Sequence, residues 1–295
     1  MNRDLAGLPV AMLGGDRREL ELAKTLLELR TDLRLVGFPP DPGLKPAKHF
    51  RDPFAAVSGV QVVVAPVANT DLDGKIFTRL DDLEPIDLTV ILPTLAPDTV
   101  VLIGVAKPVI ARLAVEHGLR LVETADIDEI AILNSIPTAE GAIQLGMEEL
   151  PITIHGSRCL VVGFGRCGQT LAGKLAALGA KVTAVDRNKA RLARAVEIGL
   201  HPVLLSELNT IVDFDLIYNT IPALVITESY LERLKPDTVI IDLAAAPGGV
   251  DFAAAERLGI KAILALSLPG RVAPVTAGKI LSDCIPPLLK TLLGG

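Results

Sequence analysis

The sequence predicts an α/β protein made of two Rossmann-like domains with parallel sheets. Short apolar runs alternate with helix-like segments from one end of the chain to the other, as expected for strands joined by crossover helices. The chain has 295 residues, a length that favours two domains. Half of the residues are hydrophobic but only 3% are aromatic, so the core must be aliphatic, which suits parallel strands covered by helices.

The first domain is predicted to span residues 1–125 as a flavodoxin-like or substrate-binding domain. Leucine and alanine recur at helical spacing over 17–30 and predict a helix there, and a second helix is expected over 108–117. The strands of this domain are expected at 10–13, 33–38, 60–65, 89–92, 100–103 and 119–122.

Residues 126–150 are predicted to form linking helices between the domains. The string Asp126-Ile-Asp-Glu129 resembles a capping box, which marks a helix start. Pro137 is expected to interrupt this helix, because proline lacks a backbone donor and clashes with the preceding turn. Thr138-Ala-Glu140 then has the pattern of a second start, so the segment is expected to form a bent helix pair.

The second domain, over 151–274, is predicted to be a doubly wound sheet that binds a dinucleotide. Its strands are expected at 160–162, 182–185, 216–219, 239–242 and 262–266, and its helices at 166–178, 188–198, 227–234 and 251–258. A final apolar helix begins near residue 275. The segment 275–295 is predicted to pack back on the first domain.

The motif Gly163-x-Gly165-x-x-Gly168 follows an apolar run and precedes a second apolar run that ends at Asp186. In a dinucleotide-binding βαβ unit the first glycine allows the turn, the second admits the pyrophosphate, and the third lets the helix pack closely. The helix N-terminus then directs unpaired N–H groups and its positive dipole end at the phosphates. The other residues of the predicted phosphate loop are Phe164, Arg166 and Cys167.

Asp186 leaves the choice between NAD and NADP open. A carboxylate at this position binds the ribose hydroxyls and repels a 2′-phosphate, which favours NAD. Arg187 follows directly and would instead pair with that phosphate or stack on adenine, and Asn188 offers a further hydrogen bond. Alternatively, Asp186 only caps the helix that begins near Asn188.

A second part of the cofactor site is predicted after the strand at 216–219. The carboxyl ends of strands line the cofactor crevice in doubly wound sheets. Thr220, Ile221 and Pro222 are therefore expected beside the nicotinamide ribose, and an ordinary strand-to-helix turn is the alternative.

Neutral donors lie at the predicted hinge, where small-molecule sites are frequent. Asn134, Ser135 and Thr138 would bind a substrate carboxylate together with the helix N-terminus expected at Thr138. Helix capping by Thr138 and Glu140 is the alternative.

Composition and charge exclude several classes of protein. The net charge is −6, so no nucleic-acid or anionic-membrane partner is expected. No apolar run reaches about 18 residues without Gly, Pro or charge, and the first residues lack a signal-peptide pattern. The three cysteines and four histidines have no metal-ligand or triad spacing, so no metal site is expected and a reduced cytoplasmic location fits best.

Several strings resemble one family, the A subunits of dipicolinate synthase, over essentially the whole chain. These strings are Gly14-Gly-Asp16 with Arg18, Asn134-Ser-Ile-Pro-Thr-Ala-Glu-Gly141, Thr153-Ile-His-Gly156, Gly163-Phe-Gly-Arg-Cys-Gly168, Asn219-Thr-Ile-Pro222, Asp242-Leu-Ala, Pro247-Gly-Gly-Val-Asp-Phe252 and Leu268-Pro-Gly-Arg-Val-Ala-Pro-Val-Thr-Ala-Gly278. The second and last strings are the specific ones, whereas the glycine motif is common to many dehydrogenases. The broader architecture is similar to D-2-hydroxyacid and alanine dehydrogenases.

The resemblance implies an activity and a setting. Members of this family oxidise a dihydrodipicolinate, made from a lysine-pathway intermediate, to pyridine-2,6-dicarboxylate with reduction of NADP. The implied partner is a smaller flavoprotein-like B subunit, and the implied location is the mother-cell cytoplasm of a spore-forming bacterium. NADP is therefore the expected cofactor, NAD stays possible because of Asp186, and a homo-oligomer is expected.

The resemblance also implies site residues. Arg18 matches a family position and would bind a carboxylate of the dicarboxylate substrate. Asp16 and Glu140 are the carboxylates expected to act in catalysis. The resemblance favours binding over capping at the hinge donors. The string Leu268-Pro269-Gly270 is similar to a loop of alanine dehydrogenase that lies beside the nicotinamide ring, and a turn before a helix with proline at an early position is the alternative.

Two other functions stay open. A D-2-hydroxyacid or amino-acid dehydrogenase would need a general base, commonly His backed by a carboxylate, and no such pair is visible in the sequence of the second domain. A non-catalytic nucleotide-binding protein would keep the glycine motif and lack substrate groups.

Overall fold

The computed structural model describes residues 4–68, 70–78 and 83–294. The chain forms two compact units. The first comprises Met1–Ala131 with Ala273–Gly295, and the second comprises Ile132–Val272. Each unit contains a six-stranded parallel sheet, so the predicted α/β class with two Rossmann-like sheets is confirmed.

The first unit is built on a sheet of strand order β3-β2-β1-β4-β7-β8, beside a small antiparallel pair, β5-β6. Its strands are β1 (Pro9–Leu13), β2 (Asp32–Val36), β3 (Lys48–Phe50), β4 (Val62–Val64), β5 (Lys75–Ile76), β6 (Ile86–Asp87), β7 (Val100–Ile103) and β8 (Arg120–Glu123). Its helices are α1 (Arg17–Glu28), α2 (Pro53–Val57), α3 (Leu88–Ile91), α4 (Pro108–Glu116) and, at the end of the chain, α11 (Pro274–Leu293).

The second unit has the strand order β11-β10-β9-β12-β13-β14. Its strands are β9 (Arg158–Val162), β10 (Lys181–Asp186), β11 (His201–Leu204), β12 (Leu216–Asn219), β13 (Val239–Asp242) and β14 (Lys261–Leu264). Its helices are α6 (Arg166–Ala177), α7 (Lys189–Glu197), α8 (Glu228–Leu231), α9 (Phe252–Leu258) and α10 (Leu268–Val272), preceded by α5 (Asp128–Glu149), most of which belongs to this unit. Counted along the chain, this is the 3-2-1-4-5-6 order of dinucleotide-binding sheets.

The strand predicted at 89–92 is wrong, because these residues belong to α3 and to the turn after it. The Asp87 carboxylate accepts a hydrogen bond from the Thr89 amide at 2.8 Å and caps the helix. The β-branched residues at 89–91 favour a strand, but the cap in front of them directs the chain into a helical turn. The short strands β3 and β11 were not predicted.

The bent helix pair predicted at Pro137 is also wrong, because α5 is one helix of 22 residues with Pro137 inside it. Ala139 and Ala142 bury one face of the helix in the core of the second unit. The Tyr218 hydroxyl donates to the Ala142 carbonyl at 3.1 Å. This packing stabilises the helix, although Pro137 has no backbone N–H to donate. Thr138 therefore lies inside a helix and opens none.

Helix α11 packs against α1 in the first unit, where Leu281, Ile285 and Leu289 join the core. Gly278 permits the close approach, because a Cβ there would lie 2.8 Å from the Arg18 carbonyl oxygen. Among the described residues, no helix is both long enough and apolar enough to cross a bilayer.

Candidate functional site

The glycine motif of the second unit forms the turn from β9 into α6 with the geometry a dinucleotide requires. Gly163 has φ of +92°, and a Cβ there would lie 2.2 Å from the Thr220 hydroxyl oxygen. At Gly168 a Cβ would lie 1.9 Å from the Gly163 carbonyl oxygen. At Gly165, by contrast, the space is open, and the nearest atom is Nη1 of Arg191 at 3.8 Å. Two glycines are thus required by packing, and Gly165 leaves room for a pyrophosphate.

The N-terminus of α6 is available to an anion. Gly165 is the N-cap residue, and no side chain caps the first turn of this 12-residue helix. Phe164 is fully buried beneath the loop, and its carbonyl accepts a hydrogen bond from the side-chain Nε2 of Gln169 at 3.1 Å. Burial raises the pKa of the Cys167 thiol to about 11, so Cys167 adds no negative charge at this helix end.

Asp186 ends β10 and is bound from several sides. One carboxylate oxygen accepts the Phe164 amide and the other the Asn188 amide, both at 2.8 Å. Nη1 of Arg191 lies 3.4 Å from the first of these oxygens. Burial acts to raise the pKa of Asp186, but the two amides and the guanidinium outweigh it and hold the pKa below its ordinary value. Asp186 therefore stays ionised beside the phosphate loop at neutral pH.

Helix α7 is capped by Asn188 and not by Asp186. The Asn188 side-chain oxygen accepts the Ala190 amide at 2.9 Å and the Arg191 amide at 3.3 Å. The interpretation of Asp186 as only a helix cap therefore has no support in the geometry. Arg187 is exposed between Asp186 and this cap.

Two buried polar residues tie together the turns that follow β12 and β13. Asn219 and Asp242 are fully buried and hydrogen-bonded to each other at 2.8 Å. The Asn219 side chain also accepts the Ile221 amide at 3.1 Å, and Asp242 accepts the Gly249 amide at 2.6 Å. Sequence reasoning missed the pairing of these two residues, although a polar residue at the end of each of two neighbouring apolar runs was the available signal.

Thr220 joins the turn after β12 to the phosphate loop. Its hydroxyl donates to the Val162 carbonyl at 3.1 Å and lies 3.2 Å from the Gly163 carbonyl oxygen. Ile221 and Pro222 continue the turn at the carboxyl end of the sheet. The structure therefore brings the 219–222 turn beside the glycine motif.

The loop predicted at Leu268-Pro269-Gly270 is instead the first part of helix α10. Leu268 and Pro269 are buried, and Leu268 packs on α5, where a Cβ at Gly141 would lie 3.2 Å from it. Leu268 thus serves the core. The reason is that Leu268 is apolar and joins the core of the second unit.

The hinge donors lie on α5 near the start of α6. Ser135 is buried, and its hydroxyl contacts the Thr170 hydroxyl at 2.6 Å. The Thr138 hydroxyl donates to the Asn134 carbonyl at 2.8 Å. Both hydroxyls are thus engaged within the unit. The helix N-terminus that was expected to assist them does not exist.

Glu140 projects toward a later part of α6. Its carboxylate forms an ion pair with Lys174 at 2.9 Å. Lys174 lies eight residues beyond the first residue of α6, about 12 Å along the helix axis. The structure therefore does not bring Glu140 to the phosphate loop.

In the first unit, Asp16 and Arg18 bind each other at the turn from β1 into α1. Nε and Nη2 of Arg18 donate to the two carboxylate oxygens of Asp16 at 3.0 and 2.8 Å. Both residues are buried, and Asp16 also caps α1. Burial acts to raise the pKa of Asp16, but the hydrogen bonds and charge of Arg18 hold it below its ordinary value.

Glu19 completes this cluster and was not predicted. Its side chain is 1% exposed and accepts the amides of Asp16 and Val67, at 2.8 and 2.9 Å. Burial raises its pKa. The signal available in the sequence was the capping-box spacing of Asp16 and Glu19. Among the described residues, no group of His, Cys, Asp and Glu side chains is arranged to hold a metal ion.

Two family models match successive parts of the chain. The family model for the N-terminal domain of the dipicolinate synthase A subunit matches residues 9–125. The model of the NAD-binding domain of D-isomer specific 2-hydroxyacid dehydrogenases matches residues 136–258. The dipicolinate synthase A subunit of Bacillus subtilis (strain 168) is 40% identical over 287 residues, which cover 97% of each protein. The chain therefore belongs to the family of dipicolinate synthase A subunits.

Solved structures give the same relationship. The dipicolinate synthase A subunits from Bacillus subtilis and Bacillus halodurans superpose with TM-scores of 0.90 and 0.88, each at 38% identity. The first match covers 100% of this chain and 99% of the other, and the second covers 98% of both. An L-alanine dehydrogenase, with a TM-score of 0.63 at 16% identity over 96% of this chain and 90% of its own, shares the fold. The match of residues 136–258 to the NAD-binding domain model supports a nicotinamide dinucleotide as the cofactor of the second unit.

Proposed function

Because the chain belongs to the family of dipicolinate synthase A subunits, we propose that it oxidises a dihydrodipicolinate to pyridine-2,6-dicarboxylate by hydride transfer to NADP. The second unit contains a cofactor cradle, formed by the glycine turn Gly163–Gly168 and Asp186. The observation that carries this proposal is this cradle in a chain 40% identical to a dipicolinate synthase A subunit over 97% of its length. The proposal includes a role in spore formation, in the mother-cell cytoplasm, together with a B subunit.

The residues of the cradle fit a nicotinamide dinucleotide. The open position at Gly165 and the uncapped turn of α6 would receive the pyrophosphate. The ionised Asp186, with Arg187 beside it, would receive the adenosine ribose. Thr220, Ile221 and Pro222 would lie along the nicotinamide half. When bound, NADP supplies the hydride acceptor.

The turns after β12 and β13, where the nicotinamide half would lie, are held by hydrogen bonds within the chain. Asn219 and Asp242 fix the turns after β12 and β13 through bonds to each other and to backbone amides. Such bonds position the backbone before any ligand binds, which is how a site limits the entropy lost on binding. The segment between Asp242 and Asp251 has no charged side chain, so this turn contributes shape and backbone groups.

Substrate binding is proposed to involve the polar side chains at positions 134, 135 and 138 of α5. Asn134 is half-buried one residue before Ser135, which contacts the first turns of α6. The side-chain amide of Asn134 is a neutral donor suited to a carboxylate oxygen. Ser135 and Thr138 would fix the helix around it through the hydrogen bonds that they already make. Arg18 stays a proposed carboxylate ligand of the first unit.

The test is reduction of NADP or NAD on mixing the chain with freshly made product of dihydrodipicolinate synthase. The reduced-nicotinamide absorbance and the pyridine-dicarboxylate spectrum are followed together, with and without the B subunit. Coupled formation of both products is expected. Absence of reduction with either cofactor, while the nucleotide still binds, would overturn the proposal and leave a non-catalytic nucleotide-binding protein.

Two matched variants of α6 make the test specific. Gly165→Ala adds a methyl group to the open cradle, and Gly173→Ala adds one to open space later in the same helix. Gly165→Ala should lose nucleotide binding and turnover without unfolding, because no packed atom is displaced. Gly173→Ala should keep both. Equal effects of the two variants would show that the cradle is not where the nucleotide binds.

A further inference from the structure

Arg191 is placed at the cofactor cradle, although nothing in the glycine motif predicts it. It lies in the first turn of α7, three residues after the capping Asn188. Its Nη1 atom is 3.4 Å from the Asp186 carboxylate and 3.8 Å from the position a Cβ would take at Gly165. One guanidinium therefore reaches both the phosphate-loop glycine and the ribose-binding carboxylate.

In a bound dinucleotide, the 2′ substituent of the adenosine ribose would lie at this position. In dinucleotide-binding sheets the pyrophosphate lies against the second glycine and the ribose lies at the acid that ends the second strand. A group attached to the ribose beside that acid would meet the Arg191 side chain, which is half exposed and can turn toward it.

The charges at this position favour a phosphate. Asp186 contributes one negative charge, whereas Arg187 and Arg191 contribute two positive charges. Both oxygens of Asp186 already accept backbone amides, so the carboxylate is held in place without the guanidinium. The 3.4 Å contact of Arg191 is long for a charged hydrogen bond, and the guanidinium retains donors for a second acceptor.

We propose that Arg191 is the residue by which this chain selects NADP over NAD, through an ion pair of its guanidinium with the 2′-phosphate. Arg187 acts as a second cation at the rim of the same site. Asp186 then serves to orient Arg191 and the phosphate loop, and it does not exclude the phosphate. This inference rests on the proposed use of a nicotinamide dinucleotide as oxidant.

The experiment measures binding and so does not depend on the substrate. The affinities of the full chain for NADPH and NADH are determined by nucleotide fluorescence for the wild type, Arg191→Ala, Arg191→Lys and Arg194→Ala. Arg194 is the matched control, because it lies on the same helix and pairs with the exposed Glu197. Competition by adenosine 2′,5′-bisphosphate and by 5′-AMP isolates the contribution of the 2′-phosphate.

The expected result is a loss confined to the phosphorylated nucleotides. Arg191→Ala should weaken NADPH binding by about 10- to 100-fold, the range for one charged hydrogen-bonded contact, and change NADH binding less than about threefold on the same scale. Arg191→Lys should retain part of the preference, because it keeps the charge and loses the fork. Salt should weaken NADPH binding in the wild type more than in Arg191→Ala.

A purely structural role for Arg191 gives a different pattern. If it only fixed Asp186, Arg191→Ala would weaken NADPH and NADH equally, and that result would overturn the inference. Equal affinity of the wild type for both nucleotides would overturn it as well. Failure of dihydrodipicolinate oxidation with a normal NADPH preference would sink the proposed substrate and leave the assignment of Arg191 intact.

Discussion

Replacement of Arg18 by methionine separates a structural role of this residue from substrate binding. Arg18→Met keeps the apolar stem but removes both hydrogen bonds to Asp16, at 3.0 and 2.8 Å. The side chains of this pair are 5% and 8% exposed, so the remaining carboxylate would be buried without a counter-charge and would keep only the backbone amide of residue 18 as a donor. Breaking a buried pair in this way costs about 3–5 kcal/mol. We expect a loss of that size in the free energy of unfolding.

The double variant provides the internal control. Asp16→Asn keeps the N-cap of α1, because asparagine caps a helix as well as aspartate does, and it removes the negative charge. Asp16→Asn combined with Arg18→Met should therefore recover most of the loss, since no unpaired charge remains at that pair. Glu19 loses the nearby cation in both variants that lack Arg18, so its pKa, already raised by burial, should rise further.

The pH dependence gives an independent check with a definite sign. In the wild type the pKa of Asp16 is lowered, so its contribution to stability is present above about pH 4, its ordinary range, and is lost as the pH falls toward the folded-state pKa. In Arg18→Met the pKa values of Asp16 and Glu19 should both be raised, because the cation is lost. Their buried negative charges then lower the stability at neutral pH, and this loss disappears as the two carboxyls become protonated. The difference between wild type and variant should thus shrink from pH 7 to about pH 4.

The assay is urea unfolding followed by circular dichroism, combined with the KM for the dicarboxylate substrate. If Arg18→Met unfolds within about 0.5 kcal/mol of the wild type, the range of ordinary surface substitutions, and raises KM at least tenfold, then Arg18 is a substrate ligand and the structural account fails.

Three further outcomes follow from the packing of the second unit. Gly146→Ala would place a methyl group 2.5 Å from the Tyr218 hydroxyl oxygen and 2.7 Å from Cδ2 of Leu216, so a loss of about 1–3 kcal/mol is expected in urea unfolding. Tyr218→Phe in the same chain should relieve the part of this loss that comes from the hydroxyl, and strictly additive effects of the two substitutions would contradict the Tyr218 contact. Gly168→Ala, which sets a Cβ 1.9 Å from a backbone oxygen, should lower Tm and abolish NADPH binding, and a normal Tm would show that the loop adapts. The pKa of Cys167 is raised to about 11, so its thiol should react with iodoacetamide about 100-fold more slowly than a free thiol. Mass spectrometry measures the labelling, and a rate equal to that of a free thiol would mean an exposed thiolate.

The elements that the sequence predicted well are those set by local pattern. One segment of 29 residues contains β9, the glycine motif, α6 and Asp186. The steric reason for each glycine of the motif could be predicted from the sequence alone. The α5 helix was not predictable in the same way, because its continuity through Pro137 depends on the core that receives Ala139 and Ala142. Tertiary packing there outweighs the local cost of proline.

Charged residues show a second limit of sequence reasoning. Asp16 and Arg18 were predicted to act in catalysis and in substrate binding, and the bidentate pair that they form with each other was not predicted. Spacing along the chain does not reveal whether a guanidinium binds a neighbouring carboxylate or the carboxylate of a ligand. The contact of Arg191 with Asp186 follows from its place in the first turn of α7. Its approach to Gly165 could not be predicted from the sequence, because it depends on how the end of β10 lies in the fold.

The contacts of the two candidate carboxylates bear on how much acid–base help the proposed reaction receives. Asp16 has a lowered pKa and is held by Arg18, which makes it a weak proton acceptor. Glu140 is paired with Lys174 along α6. A dihydropyridine that loses a hydride and a proton gains aromaticity, so the proton needs only a weak acceptor such as water. The main demand on the protein is then the placement of the ring carbon against the hydride acceptor. The hydrogen-bonded turns at Asn219 and Asp242 supply that rigidity.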